Sequence, residues 1–333
     1  MNHIAIDLGS KHSQICVRDA QGKILQEQKL ANAELLQLFD TPAALVSMET
    51  CAEAFCIADH ARSKGHQVRV VPSTLVRSLG VGARRVKTDR KDAQALSEAS
   101  CRIDLPSVHV PSTWSREAKT LCGLRQALVS SRTKCINSVR GWLRTQLVRP
   151  RLARKTLPSS LRQYSEAHHL SLPACVERQL RAIEALSEQI TAADREIRTI
   201  AESSEVCVLL MTAPGVGPQT AVRYAAALDG WERFADAHQV ASYLGLAPGE
   251  NSSSTRKQIT SITKAGSAAV RWLLIEAAWT ALRTVPDDPM CRWAKHIAER
   301  RGTKIAVTAL ARKLAGILYS IWRERTPYQI PAT

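Results

Sequence analysis

The sequence predicts an α/β domain followed by a long helical region. Over the first hundred residues, short apolar runs of strand length alternate with helical segments. From about residue 105 onward, apolar residues recur at helical spacing. Between residues 176 and 200 this spacing becomes a near-heptad seam, which is typical of long paired helices.

Five strands and two helices are predicted in the first part of the chain. The apolar runs that indicate strands cover residues 3–7, 14–17, 24–30, 43–48 and 67–71. Helical segments cover residues 52–64 and 88–99. The Asp-Ala-Gln-Gly run at 19–22 has the composition of a tight turn. We therefore expect short connections between the first strands and a mixed sheet.

The middle of the chain predicts a coiled-coil arm of two long helices. Pro150, Pro158 and Pro173 lie between the helices, where the chain must break or reverse. The predicted division is an α/β domain at 1–104, a coiled-coil arm at 105–204 and an all-α domain at 205–333. The apolar positions that indicate the two helices are Leu121, Leu124, Leu128, Cys135, Val139 and Trp142 in the first, and Val176, Leu180, Ile183, Leu186, Ile190, Ala193, Ile197 and Ile200 in the second.

Basic residues are concentrated at the first of these helices. The chain of 333 residues has 46 Lys and Arg against 30 Asp and Glu, a net charge of +16. Residues 116–162 contain twelve bases and one acid, Glu117, so this segment alone holds +11. Such an imbalance favours a polyanionic partner over a solvated surface. The bases that lie largely off the apolar stripe are Arg125, Arg132, Lys134, Arg140 and Arg144.

The sequence predicts a cytoplasmic protein that has no membrane partner. The most apolar stretch, residues 206–222, contains Pro214, Gly215 and Gly217, which argue against a membrane span. His3 and Asp7 interrupt the apolar run at the N-terminus, so no signal segment is expected. The nine cysteines are scattered without a CxxC pair, which favours buried, reduced thiols.

Four acidic residues of the first domain are candidate metal ligands. Asp7 and Glu49 each end a predicted strand, and if those strands are parallel neighbours their carboxylates share one edge of the sheet. Asp89 and Asp92 share one face of a predicted helix. Oxygen ligands favour Mg²⁺ or Mn²⁺, and a pair of such ions supports phosphodiester cleavage. Taken singly, each acid also has an ordinary interpretation as a cap or a surface residue. The bases around this helix, available for phosphate, are Arg84, Arg85, Lys87, Arg90 and Lys91.

Two glycine- and serine-rich segments of the last domain are candidate nucleic-acid contacts. Gly215 and Gly217 lie in a segment with the form of a helix-hairpin-helix turn, which can present backbone N–H groups to a DNA phosphate. A purely structural turn is equally compatible with these residues. Further on, Ser252, Ser253 and Ser254 lie near bases that favour phosphate, so one of these serines could act as a nucleophile. These bases are Arg256, Lys257 and Lys264.

The order of these motifs resembles one known family, the DEDD transposases of bacterial insertion sequences (the one-ten and eleven-eleven group, which includes Piv-type invertases). The likeness covers essentially the whole chain. Its motifs follow Asp7 in the order Met-Glu-Thr-Cys at 48–51, Lys-Thr-Asp-Arg-Lys-Asp-Ala at 87–93, Pro-Gly-Val-Gly-Pro at 214–218, Tyr-Leu-Gly-Leu-Ala-Pro at 243–248 and Thr-Lys-Ala-Gly at 263–266.

The resemblance implies a RuvC-like, RNase-H-type domain in which Asp7, Glu49, Asp89 and Asp92 hold a divalent metal. It also implies a catalytic serine, Ser253 by counting from Pro248 with Ser252 as second choice, that becomes transiently linked to DNA. The implied partners are donor and target DNA, a structured noncoding bridge RNA that pairs with both, and further copies of the chain in a dimer or tetramer. In such recombinases the metal site and the serine come from different protomers.

Two other functions stay open on the residues alone. One is a RuvC-like metal-dependent nuclease, such as a junction resolvase, which hydrolyses DNA with water and forms no protein–DNA bond. The other is a nucleic-acid-binding factor without catalytic activity, in which the acids hold a structural metal.

Overall fold

A computed structural model describes residues 1–78, 89–250 and 259–330 of the chain. These residues form two compact units, Met1–Pro111 and Ser112–Thr333. A mixed sheet in the first unit and helices in most of the second confirm the predicted α/β part and helical part. The division into three domains stays a prediction.

The first unit has a five-stranded sheet in the order β3-β2-β1-β4-β5. β1, β2 and β3 are antiparallel neighbours, whereas β4 is parallel to β1 and β5 is parallel to β4. All five strands confirm the predicted apolar runs to within a few residues. Their bounds are β1 Asn2–Asp7, β2 His12–Arg18, β3 Ile24–Ala31, β4 Ala44–Glu49 and β5 Gln67–Val71.

Helices cover both faces of this sheet. α1 (Ala54–Ser63) buries Ala54, Ala58 and Ala61 against alternate strand residues such as Ile6 and Met48. α3 (Asp89–Arg102) packs on the opposite face, where Leu96 joins Ala5 and Val71 in a second apolar cluster. A short helix, α2 (Ser73–Ser78), follows β5. The period-two burial of the strands therefore decides which of their side chains α3 covers.

The second unit begins with a long antiparallel helical hairpin. α4 (Thr113–Thr145) packs along α6 (Ala174–Ser203), and α5 (Leu157–Ala167) lies between them in the chain. Pro158 falls in the first turn of α5 and Pro173 caps α6, so the chain reverses in the proline-containing region, as predicted. Coiled-coil geometry stays a prediction.

The hairpin has two separate apolar clusters, and the stretch between them is only partly apolar. One cluster, near the start of α4, includes Ala118 and Cys122, and the other, near its end, includes Ile136, Val139 and Leu143. Between Cys122 and Ile136, α4, which is described throughout, buries no apolar residue. The predicted stripe is wrong at Leu124, which is 62 % exposed, whereas α6 buries Ile190 and Ala193 in the same stretch.

The remaining helices form a bundle with one small β-hairpin. The prediction of an all-α domain is wrong at β6 (Pro248–Glu250) and β7 (Ile259–Ile262), which pair antiparallel. Strands of three and four residues are too short to show a period-two pattern, so a serine-rich loop was the natural interpretation. The helices are α7 Glu205–Leu210, α8 Pro218–Leu228, α9 Ala237–Tyr243, α10 Ala268–Thr284, α11 Pro289–Arg301 and α12 Thr303–Glu324.

α12 is the central helix of this bundle. By length and composition it could span a membrane, but Leu310, Leu314 and Leu318 are fully buried against neighbouring helices. More than half of its apolar stretch, 56 %, is buried inside the protein, as expected for a core helix. Prediction from sequence considered only residues 206–222 and missed α12, because core and membrane helices share the same apolar composition.

All nine cysteines are free thiols, and burial is uneven among them. Cys122 and Cys207 are buried, which raises the pKa of both thiols. Cys56 and Cys175 are exposed, so the expectation of buried thiols is wrong for these two.

A buried arginine fixes the base of the β-hairpin. Arg271, on α10, is only 9 % exposed and donates from Nη1 to the carbonyl oxygens of Leu244, Ala265 and Gly266 at 3.0, 2.5 and 3.2 Å. Gly245 has a φ of +70° and lies so close to Ala265 that an added Cβ would collide with its backbone. The two segments flanking the hairpin are therefore held together by one guanidinium and by close backbone packing.

Replacement of Arg271 should destabilise this part of the bundle. In Arg271→Met the three carbonyl oxygens lose a charged donor, so the free energy of unfolding should fall by about 1.5–3 kcal/mol. Urea unfolding followed by circular dichroism measures the change. Arg283→Met, at the exposed end of the same helix, is the control and should leave the midpoint unchanged. Equal midpoints for the two variants would contradict the assigned role.

Candidate active site

Asp7 and Glu49 end two parallel, directly paired strands. The register between β1 and β4 joins Ile6 with Met48, so Asp7 and Glu49 are the next residues at the same edge of the sheet. Both side chains are half-buried. The conditional prediction that these strands are parallel neighbours is confirmed.

Asp7 and Glu49 also lie on the face of the sheet that α3 covers. Glu49 pairs in register with Val71, and Val71 belongs to the apolar cluster of Ala5 and Leu96. Asp7 lies two residues beyond Ala5, and residues two apart on a strand share a face. Both carboxylates therefore belong to the side of the sheet on which α3 packs.

α3 runs antiparallel to β1, which brings its N-terminal end toward this edge. Near the start of β1, Nδ1 of His3 lies 3.2 Å from Oγ of Ser100. One turn earlier on the helix, Oγ of Ser97 donates to Sγ of Cys16 at 3.1 Å, and Cys16 pairs with Ala5. The helix numbering thus falls as the strand numbering rises.

The rises of the two elements then place Asp92 at the level of Asp7. From His3 to Asp7 the strand covers about 13 Å at about 3.3 Å per residue. From Ser100 back to Asp92 the helix covers about 12 Å at about 1.5 Å per residue. Asp92 lies four residues before Leu96, on the face of α3 toward the sheet. One of its carboxylate oxygens is fully shielded from solvent.

The donor set fits a hard divalent cation in its chemistry. Asp7, Glu49 and Asp92 offer only oxygen ligands, which Mg²⁺ and Mn²⁺ prefer. Asp89 begins α3, one turn before Asp92, and its side chain lies outside the described part. Within the described ranges, no three Asp, Glu, His or Cys side chains are close enough to hold a metal ion.

Three of the five bases predicted beside these acids fall in the segment that precedes α3. Arg84, Arg85 and Lys87 lie outside the described residues. On α3 itself, Arg90 pairs with Glu27 of β3, and Gln94 donates to the same carboxylate. These two partners hold the pKa of Glu27 below its usual range. The ion pair of Arg90 with Glu27 thus connects the first turn of α3 to β3, the outer strand of the sheet.

Residues 251–258, between β6 and β7, contain the predicted nucleophile. Ser252, Ser253, Arg256 and Lys257 therefore lie outside the described part of the chain. Lys264, just after β7, is exposed, has a φ of +58°, and donates its backbone N–H to Gly245 at 3.1 Å. Two motifs of the sequence, at 243–248 and 263–266, thus meet at the base of this hairpin.

The two glycines of the turn before α8 differ in their surroundings. Gly215 has a φ of +77°, and an added Cβ would collide with the backbone of α10 at Ala277 and Ala281. Gly217 has open space at the same position and caps α8. Helix packing is therefore a sufficient reason for a glycine at 215, and DNA binding at either glycine stays a prediction.

The predicted basic face of α4 divides into paired and exposed residues. Arg125 is 16 % exposed and bonds Asp194 of α6 at 2.9 Å. Arg132 points to the same helix, with Nη1 3.4 Å from Oγ of Ser187. Arg140 donates to the carbonyl oxygen of Leu152, while Lys134 and Arg144 are exposed.

Further exposed bases lie just beyond α4, in the connection to α5. This group, the hairpin tip, was not selected from sequence because it follows the end of the helical periodicity. None of its members forms an ion pair with another described residue. The hairpin tip consists of Arg149, Arg151, Arg154 and Lys155, and it adjoins the exposed Arg144 at the end of α4.

Comparison with known protein families matches both parts of the chain. A model of the DEDD transposases of IS110, described as "Transposase", matches residues 4–147. A second, described as "Transposase IS116/IS110/IS902 family", matches residues 207–290. The first covers the whole sheet and α3, and the second covers the turn at Gly215 and the β6–β7 hairpin.

Curated relatives match over nearly their full length. A "Probable family 20 transposase" of Pseudomonas aeruginosa is 28 % identical, covering 99 % of each chain. The transposase for insertion sequence element IS1111A of Coxiella burnetii is 28 % identical over 99 % of this chain and 92 % of its own. The transposase for IS1328 of Yersinia enterocolitica is 29 % identical over 98 % of each.

These matches support a DNA transposase, and the DEDD family suggests dependence on a divalent metal. Two family models in chain order and relatives aligned from end to end lead to the same conclusion: the protein belongs to the IS110-type family of insertion-sequence transposases.

Proposed function

We propose that this transposase is an RNA-guided, metal-dependent DNA recombinase that exchanges strands through a serine–DNA intermediate. The observation that carries the proposal is the parallel pairing of β1 with β4, which sets Asp7 beside Glu49 at one edge of the sheet. α3 brings Asp92 to the same level and face. In an enzyme, acids arranged in this way can hold a metal ion that binds phosphate.

The sheet also supports the RuvC-like, RNase-H-type assignment of the first unit. Three antiparallel strands continue into two parallel ones, and Asp7 and Glu49 are the last residues of the first and fourth strands of the chain. In sheets with parallel strands, sites form outside the carboxyl ends of those strands. Asp7 and Glu49 occupy that position.

We propose that Asp7, Glu49, Asp89 and Asp92 together hold the metal. Bound there, Mg²⁺ or Mn²⁺ would stabilise negative charge that develops on a phosphate. The chain's own contribution is rigid placement, because two of the acids are fixed by a strand register and one by the packing of α3.

Ser253, with Ser252 as second choice, is the proposed nucleophile. Its oxygen would form a bond to phosphorus while the bond from phosphorus to the leaving sugar oxygen breaks. The proton lost by the serine balances the one that the leaving oxygen takes up. The fixed base of the β6–β7 hairpin supports this role, since a nucleophile must be held in place.

The hairpin tip is the proposed contact for the guide RNA. Its four bases are exposed without acidic partners in the described part of the chain, so their charge is available to phosphates. Arg125 and Arg132 are directed to α6, so they contribute to the packing of α4 against α6 rather than to RNA binding. Donor and target DNA and a homo-oligomer complete the proposed assembly.

Loss of one ligand should weaken metal binding and abolish recombination. Replacing even an outer-sphere partner of a metal typically costs about 10–100-fold in affinity, so Asp7→Asn or Asp92→Asn should weaken binding at least as much. Isothermal titration with Mn²⁺ and a plasmid recombination assay measure the two effects. Glu98→Gln, on α3 but paired with Arg102, is the control. Wild-type activity of Asp7→Asn would refute the assigned site.

Substitution of the nucleophile should abolish covalent capture of DNA. Wild-type protein incubated with labelled DNA, its RNA and Mg²⁺ should give a protein–DNA adduct on a denaturing gel, and Ser253→Ala should give none. Loss in Ser252→Ala instead would shift the assignment by one residue. Free nicked strands from the wild type would indicate a nuclease, and intact DNA a binding factor.

Neutralising the hairpin tip should weaken RNA binding in a salt-dependent way. The variant Arg149→Gln/Arg151→Gln/Arg154→Gln should lower the slope of log affinity against log salt by about two to three, since each phosphate contact contributes about 0.7–0.9. Filter binding over a range of salt concentrations measures the slope. The matched control is Arg178→Gln/Arg195→Gln/Arg198→Gln, three exposed bases of α6. An equal slope for both triple variants would contradict the proposed contact.

A further inference from the structure

A groove of about 1420 Å³ crosses the second unit beside the β6–β7 hairpin. One wall is formed by Pro248 and residues 260–262 of the hairpin, and the others by residues of α9, α11 and α12. Pockets for small ligands usually measure about 300–1,000 Å³. The groove is thus large enough for a segment of a polymer.

The charge of the groove is of one sign. Its described lining contains no Asp or Glu, and it contains six basic or imidazole side chains. None of the five Lys and Arg forms an ion pair with another described residue. The six are His238, Lys264, Arg301, Lys304, Arg312 and Lys313.

Two contacts orient the bases along α12. Arg312 donates from Nη2 to Nδ1 of His238 at 3.1 Å, which ties the guanidinium to α9. Nζ of Lys313 lies 4.6 Å from the ring centroid of Trp293. Both contacts hold the cations without neutralising them.

The start of α12 adds to the positive potential. This 22-residue helix begins at Thr303 after Gly302, which has no side chain to cap it, and Lys304 and Ile305 in its first turn line the groove. The N-terminus of a helix has a partial positive charge that favours anions. The N-terminus of α12 and the basic side chains therefore both make the electrostatic potential of the groove more positive.

Apolar and small residues form the floor between these bases. Ala241, Leu246, Ile262 and Ala309 line the groove below the charged rim. A positively charged rim over an apolar floor suits a phosphodiester backbone, because phosphates bind the bases while sugars contact the floor.

We propose that this groove binds the backbone of the DNA strand that is presented to the β6–β7 hairpin. The choice of DNA over RNA rests on the proposed function, since the hairpin holds the serine that would attack DNA. The assignment of the groove as a binding site is argued from its charge and shape alone. Four of its bases, Arg301, Lys304, Arg312 and Lys313, lie outside the sequence motifs.

The test compares duplex DNA binding by the full-length chain and its variants. Arg301→Gln/Lys304→Gln/Lys313→Gln replaces exposed side chains, so folding should be retained, as circular dichroism will verify. Fluorescence anisotropy with a labelled duplex of mixed sequence gives the affinity as a function of salt. For the groove variant, the magnitude of the slope of log affinity against log salt should fall by about two to three. The control variant Arg178→Gln/Arg195→Gln/Arg198→Gln should keep the wild-type slope.

The outcomes separate this proposal from the serine mechanism. A wild-type slope for the groove variant overturns the groove, whether or not a covalent adduct forms. An equal loss of binding to a labelled RNA overturns its assignment to DNA. Ser253→Ala should bind the duplex as the wild type does. If the groove variant shows the reduced salt dependence of DNA binding and the wild type forms no covalent adduct, the groove is supported as a DNA-binding site and the serine mechanism is rejected.

Discussion

The parallel pairing of β1 with β4 is the constraint on which the candidate site depends. Two carboxylates at adjacent strand ends repel each other, and a folded protein keeps them together only where the sheet leaves no alternative. Here the hydrogen-bonded register fixes both backbones, and the apolar alternation of Ile4, Ile6, Val46 and Met48 fixes that register. Burial of hydrophobic side chains on one face thus sets the position of charged side chains at the edge.

Much of the sheet and half of the site could be predicted from sequence. The strands of the first unit appear as separate apolar runs, and Asp7 and Glu49 stand at the ends of two of them, so only the assumption of parallel neighbours was needed. The level of Asp92 could not be predicted, because it depends on contacts of Ser97 and Ser100 with strands more than eighty residues away in the chain. No local pattern encodes a packing of that kind.

The basic face of α4 shows a second limit of prediction. Composition correctly located the excess charge, but it could not distinguish a base that meets a partner helix from one that meets solvent. Arg125 pairs with Asp194, 69 residues along the chain, and this depends on the register of two long helices. The hairpin tip and the groove beside β6–β7 have the opposite character, since their bases have no acidic partners in the described part of the chain. Structure was needed to separate these groups.

The ion pair between Arg125 and Asp194 has a consequence for the alignment of the helical hairpin. Leucine side chains tolerate sliding of one helix along another, whereas Arg125 has its carboxylate at a single position on α6. A shift by one heptad would bring Arg125 opposite Ser187 or Ala201, neither of which is charged, so the half-buried guanidinium would lose its carboxylate. This ion pair therefore fixes the register of α4 against α6. The far end of the helical hairpin then extends a fixed distance along these helices, although its own apolar cluster is separate from that of the bundle.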